Sequence, residues 1–160
     1  MKRKIYLIQL GVFFTSLFFT LPLEGQKMEV LKKIQDKTYS YSWDLVLENE
    51  KIDVYAKISD CSKPNQGFHF DYLLFKVENK TNERIYVAWD FDYSYDNQPR
   101  HEESNDEVQV GFIIEPMNSV EASCFSKQNR QLRLFVRDKN KQGVRELTDF
   151  SINSLEISNY

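Results

Sequence analysis

The sequence predicts an all-β protein: an antiparallel, immunoglobulin-like β-sandwich of seven to eight strands behind an N-terminal signal peptide, with room for one short helix. Three observations carry this. Apolar residues alternate with polar ones at period two in most segments after residue 40. Short polar turns separate these segments at near-regular spacing. No strong helical pattern falls between them, as a parallel α/β sheet would need.

The N-terminal end comes first. Lys2, Arg3 and Lys4 precede a mostly apolar run from Ile5 to Leu23, then Pro22 and Gly25. This is the pattern of a secretory signal peptide, with cleavage expected after Gly25. An uncleaved anchor helix is the rival reading, because the run approaches the roughly 20 residues that span a bilayer. Gln9 and Pro22 weigh against it. Residues 26–40 form a lead-in in which Val30, Leu31 and Ile34 would share one helical face. Residues 41–160 are the expected β-domain, of a size for one core.

Tyr41 to Leu47 reads as a strand and "ENEK" as a turn. In "IDVYAKIS", Ile52, Val54, Ala56 and Ile58 oppose Asp53, Tyr55, Lys57 and Ser59. "CSKPNQG" is a loop. Leu73, Phe75 and Val77 set one face of 68–78. Ile85, Val87, Trp89, Phe91 and Tyr93 set one face of 85–93. The polar turn "NKTNER" between these two predicts that they pair as a hairpin. Residues 96–106 form a polar loop, and 107–115 alternates through Val108, Val110, Phe112 and Ile114. "PMNS" turns the chain before "VEASC". Leu132, Leu134 and Val136 mark the next strand. In 147–158 the apolar phase slips between Ile152 and Leu155, which predicts a bulge.

The runs "LLFKVENKTNERIYVAWDF", "IIEPMNSVEASC", "LRLFVRD" and "LTDFSINSLEIS" resemble a group of small exported proteins of Bacteroidota-type bacteria. The likeness covers most of the chain after residue 25. It implies export and a β fold, and no activity. Extra cysteines that some members carry in the polar loop are replaced here by "NQPRHEESND".

Cys61 and Cys124 follow the signal segment, where an oxidising compartment favours a disulfide. Both sit at strand ends, so the inter-sheet disulfide of an antibody domain, packed on tryptophan, is not expected. The chain has 21 basic and 24 acidic residues; removing Lys2, Arg3, Lys4 and Glu24 leaves 18 and 23, a net charge of −5. No run of Lys or Arg appears after residue 25. Nucleic acid and an anionic membrane are therefore not the expected partners, and no membrane span is expected in the mature chain.

"DFDYSYDN" (90–97) spaces Asp90, Asp92, Ser94 and Asp96 like the start of a calcium loop. An EF-hand would need Gly at its sixth position and Glu at its twelfth; Tyr95 and His101 stand there. A solvated strand face explains the spacing better. Asp92, Asp96 and Glu102 remain the candidate metal ligands at the mouth of the loop. Two histidines, His69 and His101, lack zinc-ligand spacing with the cysteines. A Ser94–His101–Asp106 set has no nucleophile elbow around it, and Walker, dinucleotide and H-E-x-x-H signatures are missing. No catalytic residue and no cofactor is assigned. Tyr39, Tyr41, Tyr86, Tyr95 and Phe125 are the aromatics expected to face solvent. Asn79-Lys80-Thr81 matches a glycosylation acceptor.

The expected function is an exported, non-catalytic module that binds a protein or glycan, secreted, periplasmic or at the cell surface. The alternative is a small hydrolase or metal-dependent enzyme using the 92–107 loop.

Overall fold

In the computed structural model the described residues are 23–40, 42–99, 109–141 and 145–160. Among these residues one α-helix, α1 (Leu23–Gln35), precedes nine strands. These are β1 (Asp44–Glu48), β2 (Ile52–Asp60), β3 (Phe70–Asn79), β4 (Ile85–Tyr95), β5 (Gln98–Pro99), β6 (Gln109–Ile114), β7 (Ser119–Glu121), β8 (Arg133–Asp138) and β9 (Leu147–Asn159). Every strand pairing is antiparallel. The first sheet runs β1-β2-β3, with β7 and β8 both on the far side of β3. The second centres on β4, with β9 on one side and β5 and β6 on the other. The two pack as a sandwich, as the alternation predicts.

The inner faces are the predicted ones. Ile52, Val54, Ala56 and Ile58 of β2, Leu73, Phe75 and Val77 of β3, and Ile85, Val87, Trp89 and Phe91 of β4 are all buried. Phe75 meets Phe91 at 4.8 Å and Phe150 at 5.7 Å, which locks sheet to sheet. Each such side chain withdrawn from water contributes about 1.5–3 kcal/mol. Tyr93 is half-buried at the margin.

The predicted hairpin between 68–78 and 85–93 does not form. The two strands lie in different sheets, so "NKTNER" is a crossover between layers. Asn79 is the reason this crossover holds its shape. Its side chain is buried, and its Nδ2 donates to the carbonyls of Glu83 (2.7 Å), Glu115 (3.1 Å) and Ile114 (3.3 Å). Its Oδ1 accepts from the Thr81 amide at 2.9 Å and the Thr81 hydroxyl at 2.8 Å. The side chain thereby ties the crossover to the end of β6.

The predicted bulge is present in β9. Ala88 pairs with Glu156 and Asp90 with Asn153, so Ser154 and Leu155 together oppose Trp89. Ser154 takes φ +51°, the left-handed conformation such a bulge needs.

Helix α1 buries Val30, Leu31 and Ile34, the expected face, against β1, β2 and β9. It thus covers the seam between the first sheet's outer strand β1 and the second sheet's outer strand β9. Its end is a Schellman turn: the Thr38 amide donates to Lys33 O and the Lys37 amide to Ile34 O, with Lys37 at φ +54°. Lys33 reaches both oxygens of Asp44 at 2.8 Å. The helix includes Leu23–Gly25, the residues flanking the expected cleavage point. Among the described residues no helix is long and apolar enough to cross a membrane.

Beneath α1 lies a buried ion pair. Asp71 is fully buried on β3, and Arg137 Nε stands 2.7 Å from its Oδ2. A register shift in β8 leaves Val136 without a partner and sets Arg137 opposite Asp71. Arg137 Nη1 also donates to Ile34 O in the last turn of α1 (3.2 Å), and Tyr39 donates to Asp71 Oδ1 (3.1 Å). Burial pushes the Asp71 carboxyl up, against the opposing pull of Arg137, Tyr39 and Lys139.

Removing one partner strands the other charge in the core. Arg137→Leu is expected to cost about 3–5 kcal/mol in urea unfolding, whereas the Asp71→Leu, Arg137→Leu double variant costs clearly less. A double variant as unstable as the single one would show that packing, not the stranded charge, sets the cost.

Candidate functional site

The opening motif resolves into a strand and a turn. Asp90 and Asp92 lie on the outer side of β4, and the strand runs on to Tyr95. Asp96 (φ +53°) and Asn97 (φ +61°) then form a two-residue turn into β5, with both central residues left-handed as a type I′ hairpin requires. Asp96 Oδ1 accepts from the Glu146 amide at 3.0 Å, and the Asn97 amide donates to Thr148 Oγ1 at 2.9 Å. Asp92 accepts from Asn153 Nδ2 across the sheet. Both carboxylates therefore hold backbone and strand together. Glu102 lies outside the described residues, and among those described no group of three or more acidic, His or Cys side chains gathers as metal ligands. His101 and Asp106 of the imagined catalytic set also lie outside the described residues.

Two other expectations need correction. Tyr95 is buried: its hydroxyl donates to Phe135 O at 2.8 Å, tying the end of β4 to β8 of the other sheet. Asn79 has its amide nitrogen fully engaged in the interior, so the folded protein cannot carry a glycan there. Tyr86 and Phe125 do face solvent, Tyr39 is half-buried, and Tyr41 lies outside the described residues. Tyr86 lies across Gly111 on the neighbouring strand, where an added Cβ would meet its hydroxyl at 2.6 Å. The turn at Gly67, with φ +74°, closes the short helical turn Pro64–Gln66.

The richest surface is the outer side of the first sheet. Lys57, Tyr55, Lys76 and Tyr72 point outward by alternation with the buried residues of β2 and β3. Trp43, just before β1, lies under the Lys57 ammonium at 4.1 Å and the Lys76 ammonium at 5.7 Å. Lys76 also stands 4.5 Å from the Tyr55 ring. Towards β8, the rings of Phe68, Phe70, Tyr72 and Phe135 follow one another with centroids 5.7–6.5 Å apart. Edge-to-face contacts of this kind favour fixed ring positions. Phe68 is 46% exposed, and the other three are half-buried.

A disulfide ties two segments of this sheet together. Cys61 and Cys124 are bonded, with Cα atoms 5.2 Å apart. The bond joins segments leaving β2 and β7, both of the first sheet, and does not link the sheets. Just before Cys124 the Ala122 amide donates to Phe75 O, and residues 122–124 line one cleft together with Leu74. Arg133 donates to the carbonyls of Ser123 and Cys124 and keeps that segment in place. Beside it is an open cleft of about 480 Å³, lined by Tyr39, Ser40, Lys57, Asp60, Glu121 and Cys124 among others. Burial disfavours charge on Asp60, but Lys139 and Ser62 outweigh it and hold this carboxyl below its usual range.

No family model, curated protein or solved structure matches this chain. The chemistry of the surface is thus the guide to function.

Tyr55 offers a direct check of that surface. Its phenol is pushed up to about 12, first by burial and then by the carboxylates of Glu78 and Asp53. A group whose folded pKa is raised favours the fold fully below its unfolded pKa, here near 10.0, and loses that effect as pH climbs towards 12. Tyr55→Phe is expected to remove the last step of the phenolate absorbance titration and to flatten the stability slope in that window. An unchanged final step would place the late phenol elsewhere.

Proposed function

We propose that this is an exported, non-catalytic, immunoglobulin-like β-sandwich module, secreted, periplasmic or at the cell surface, that binds a protein or glycan on the outer side of its first sheet. One observation carries the reading: the half-exposed rings of Trp43, Tyr55, Phe70, Tyr72 and Phe135 share one sheet surface. Aromatic rings so placed give contact area at low entropic cost, because their positions are set before a ligand arrives. The cleft beside them adds hydroxyls and charges that can orient a partner. The resemblance to small exported β proteins and the basic-then-apolar N-terminal segment support export. A disulfide-bonded pair agrees with an oxidising compartment.

The test is an immobilised panel of glycans and peptides probed with wild-type protein and with the Trp43→Ala, Tyr72→Ala double variant. Loss of two stacking rings is expected to weaken retention about tenfold. Retention that is unchanged in the variant would place the binding surface elsewhere on the molecule.

A further inference from the structure

The residues that line the cleft fall into two runs. Tyr39, Ser40 and residues 57–60 at the end of β2 make one wall, and residues 121–124 make the other. Strand β3 lies between β2 and β7 and contributes Leu74. Cys61 follows the first run and Cys124 ends the second, so the disulfide ties wall to wall. The two cysteines differ in access. Cys61 is 2% exposed, whereas Cys124 is half-buried and lines the cleft. Little else holds the chain beyond the second wall. From residue 123 to residue 131 no side chain is buried, although Ala122 and Leu132 on either side are. The backbone of this stretch pairs with no strand among the described residues. Its remaining side-chain ties are Arg133 on the carbonyls of Ser123 and Cys124, Asn129 Nδ2 on Glu121 O at 3.0 Å, and Lys63 over the Phe125 ring.

We propose that the disulfide is a redox clasp on the cleft, opened by a dithiol partner that attacks Cys124 while the sandwich stays folded. In thiol–disulfide exchange a thiolate must reach one of the two sulfurs, so access decides which is attacked. Cys61 is closed to a protein thiolate by burial, and Cys124 is approached from the cleft. The first thiolate of the partner bonds to Cys124 Sγ, the Sγ–Sγ bond breaks, and Cys61 leaves as a thiolate that takes up a proton. The partner's second thiolate then attacks its own sulfur in the mixed disulfide and releases Cys124, which is protonated in turn. The partner gives up two electrons and two protons and ends as a disulfide; both cysteines end as thiols. The sandwich does not depend on the bond. Strands β2 and β7 keep their pairing with β3, and the Ala122 amide keeps Phe75 O. Phe75 joins the sheets through Phe91 and Phe150 without it. What is lost is the link between the walls: residues 123–131 are released and the cleft widens over Leu74. For the module proposed above, opening would reshape the surface offered to a ligand, and this consequence alone rests on that reading.

The measurement is amide hydrogen exchange of the intact protein, read by mass spectrometry, with dithiothreitol as the dithiol. On reduction without denaturant, exchange within 123–131 is expected to speed up at least about tenfold, with β3 and β4 unchanged. The Cys61→Ser, Cys124→Ser double variant should show the same pattern with no reductant present. Excess glutathione, a monothiol, stops at the mixed disulfide; after an acid quench it should be found on Cys124 and not on Cys61. Faster exchange throughout β3 and β4 would show that the bond staples the whole fold, and would overturn the clasp. A bond that dithiothreitol leaves intact until denaturant is added would overturn it too, as would glutathione on Cys61. Retention on the glycan and peptide panel separates this proposal from the binding reading. A clasp that opens locally without changing retention stands, and the binding surface then lies elsewhere.

Discussion

The pair Asp71–Arg137 is the constraint on which the arrangement of the other elements depends. A fully buried carboxylate needs an opposite charge beside it, and Arg137 supplies one at 2.7 Å. To do so, β8 must shift register and expose a second guanidinium nitrogen to the end of α1. The helix, β3, β8 and Tyr39 are thereby fixed relative to one another by one cluster of polar atoms. Apolar packing alone would allow α1 to slide along the seam, whereas a directed hydrogen bond to Ile34 O sets where it stops.

Around that cluster, the two layers are joined at their margins by single side chains. Asn79 gathers three carbonyls at one crossover, and Tyr95 joins β4 to β8 at another edge. The disulfide works within one sheet, tying the segment after β7 to the end of β2. The result is a scaffold whose interior is conventional aliphatic and aromatic packing, with its specificity held in a few buried polar contacts. The binding surface proposed for the first sheet is built on the strands these contacts fix.

Much of the fold was legible because a pleated strand writes its burial into alternate residues. Ile52 to Ile58, Leu73 to Val77 and Ile85 to Phe91 all face inward as their period requires, and the phase slip after Ile152 marks a true bulge. Pairing partners were not legible. A polar six-residue turn looks the same whether the chain doubles back or crosses to another layer, and Asn79 inside that turn reads as polar although it is buried. Asp96-Asn97 reads as loop because the hairpin it closes has a partner strand of two residues. Tyr95, expected to face solvent beyond the strand, is buried because β4 runs on to it in the inward phase of Ile85 to Phe91, and its hydroxyl finds a carbonyl. The candidate site was the least legible part. Trp43, Tyr55, Tyr72 and Phe135 come from four separate segments, so no run of aromatic residues announces them. Only the pairing of the strands brings them onto one surface.

The contact between Arg137 and Ile34 spans 103 residues of chain. Helix α1 leads the sequence described here, yet its docking surface includes β9 near the C-terminal end. Contacts of such long range form late, since the loop between them must close first. A chain growing from its N-terminus can therefore lay α1 on β1 and β2 early, but cannot complete its seat until almost the whole sequence has been made. Until then the sides of the helix that meet β9 and Arg137 stay open, so the two ends of the chain close the sandwich together.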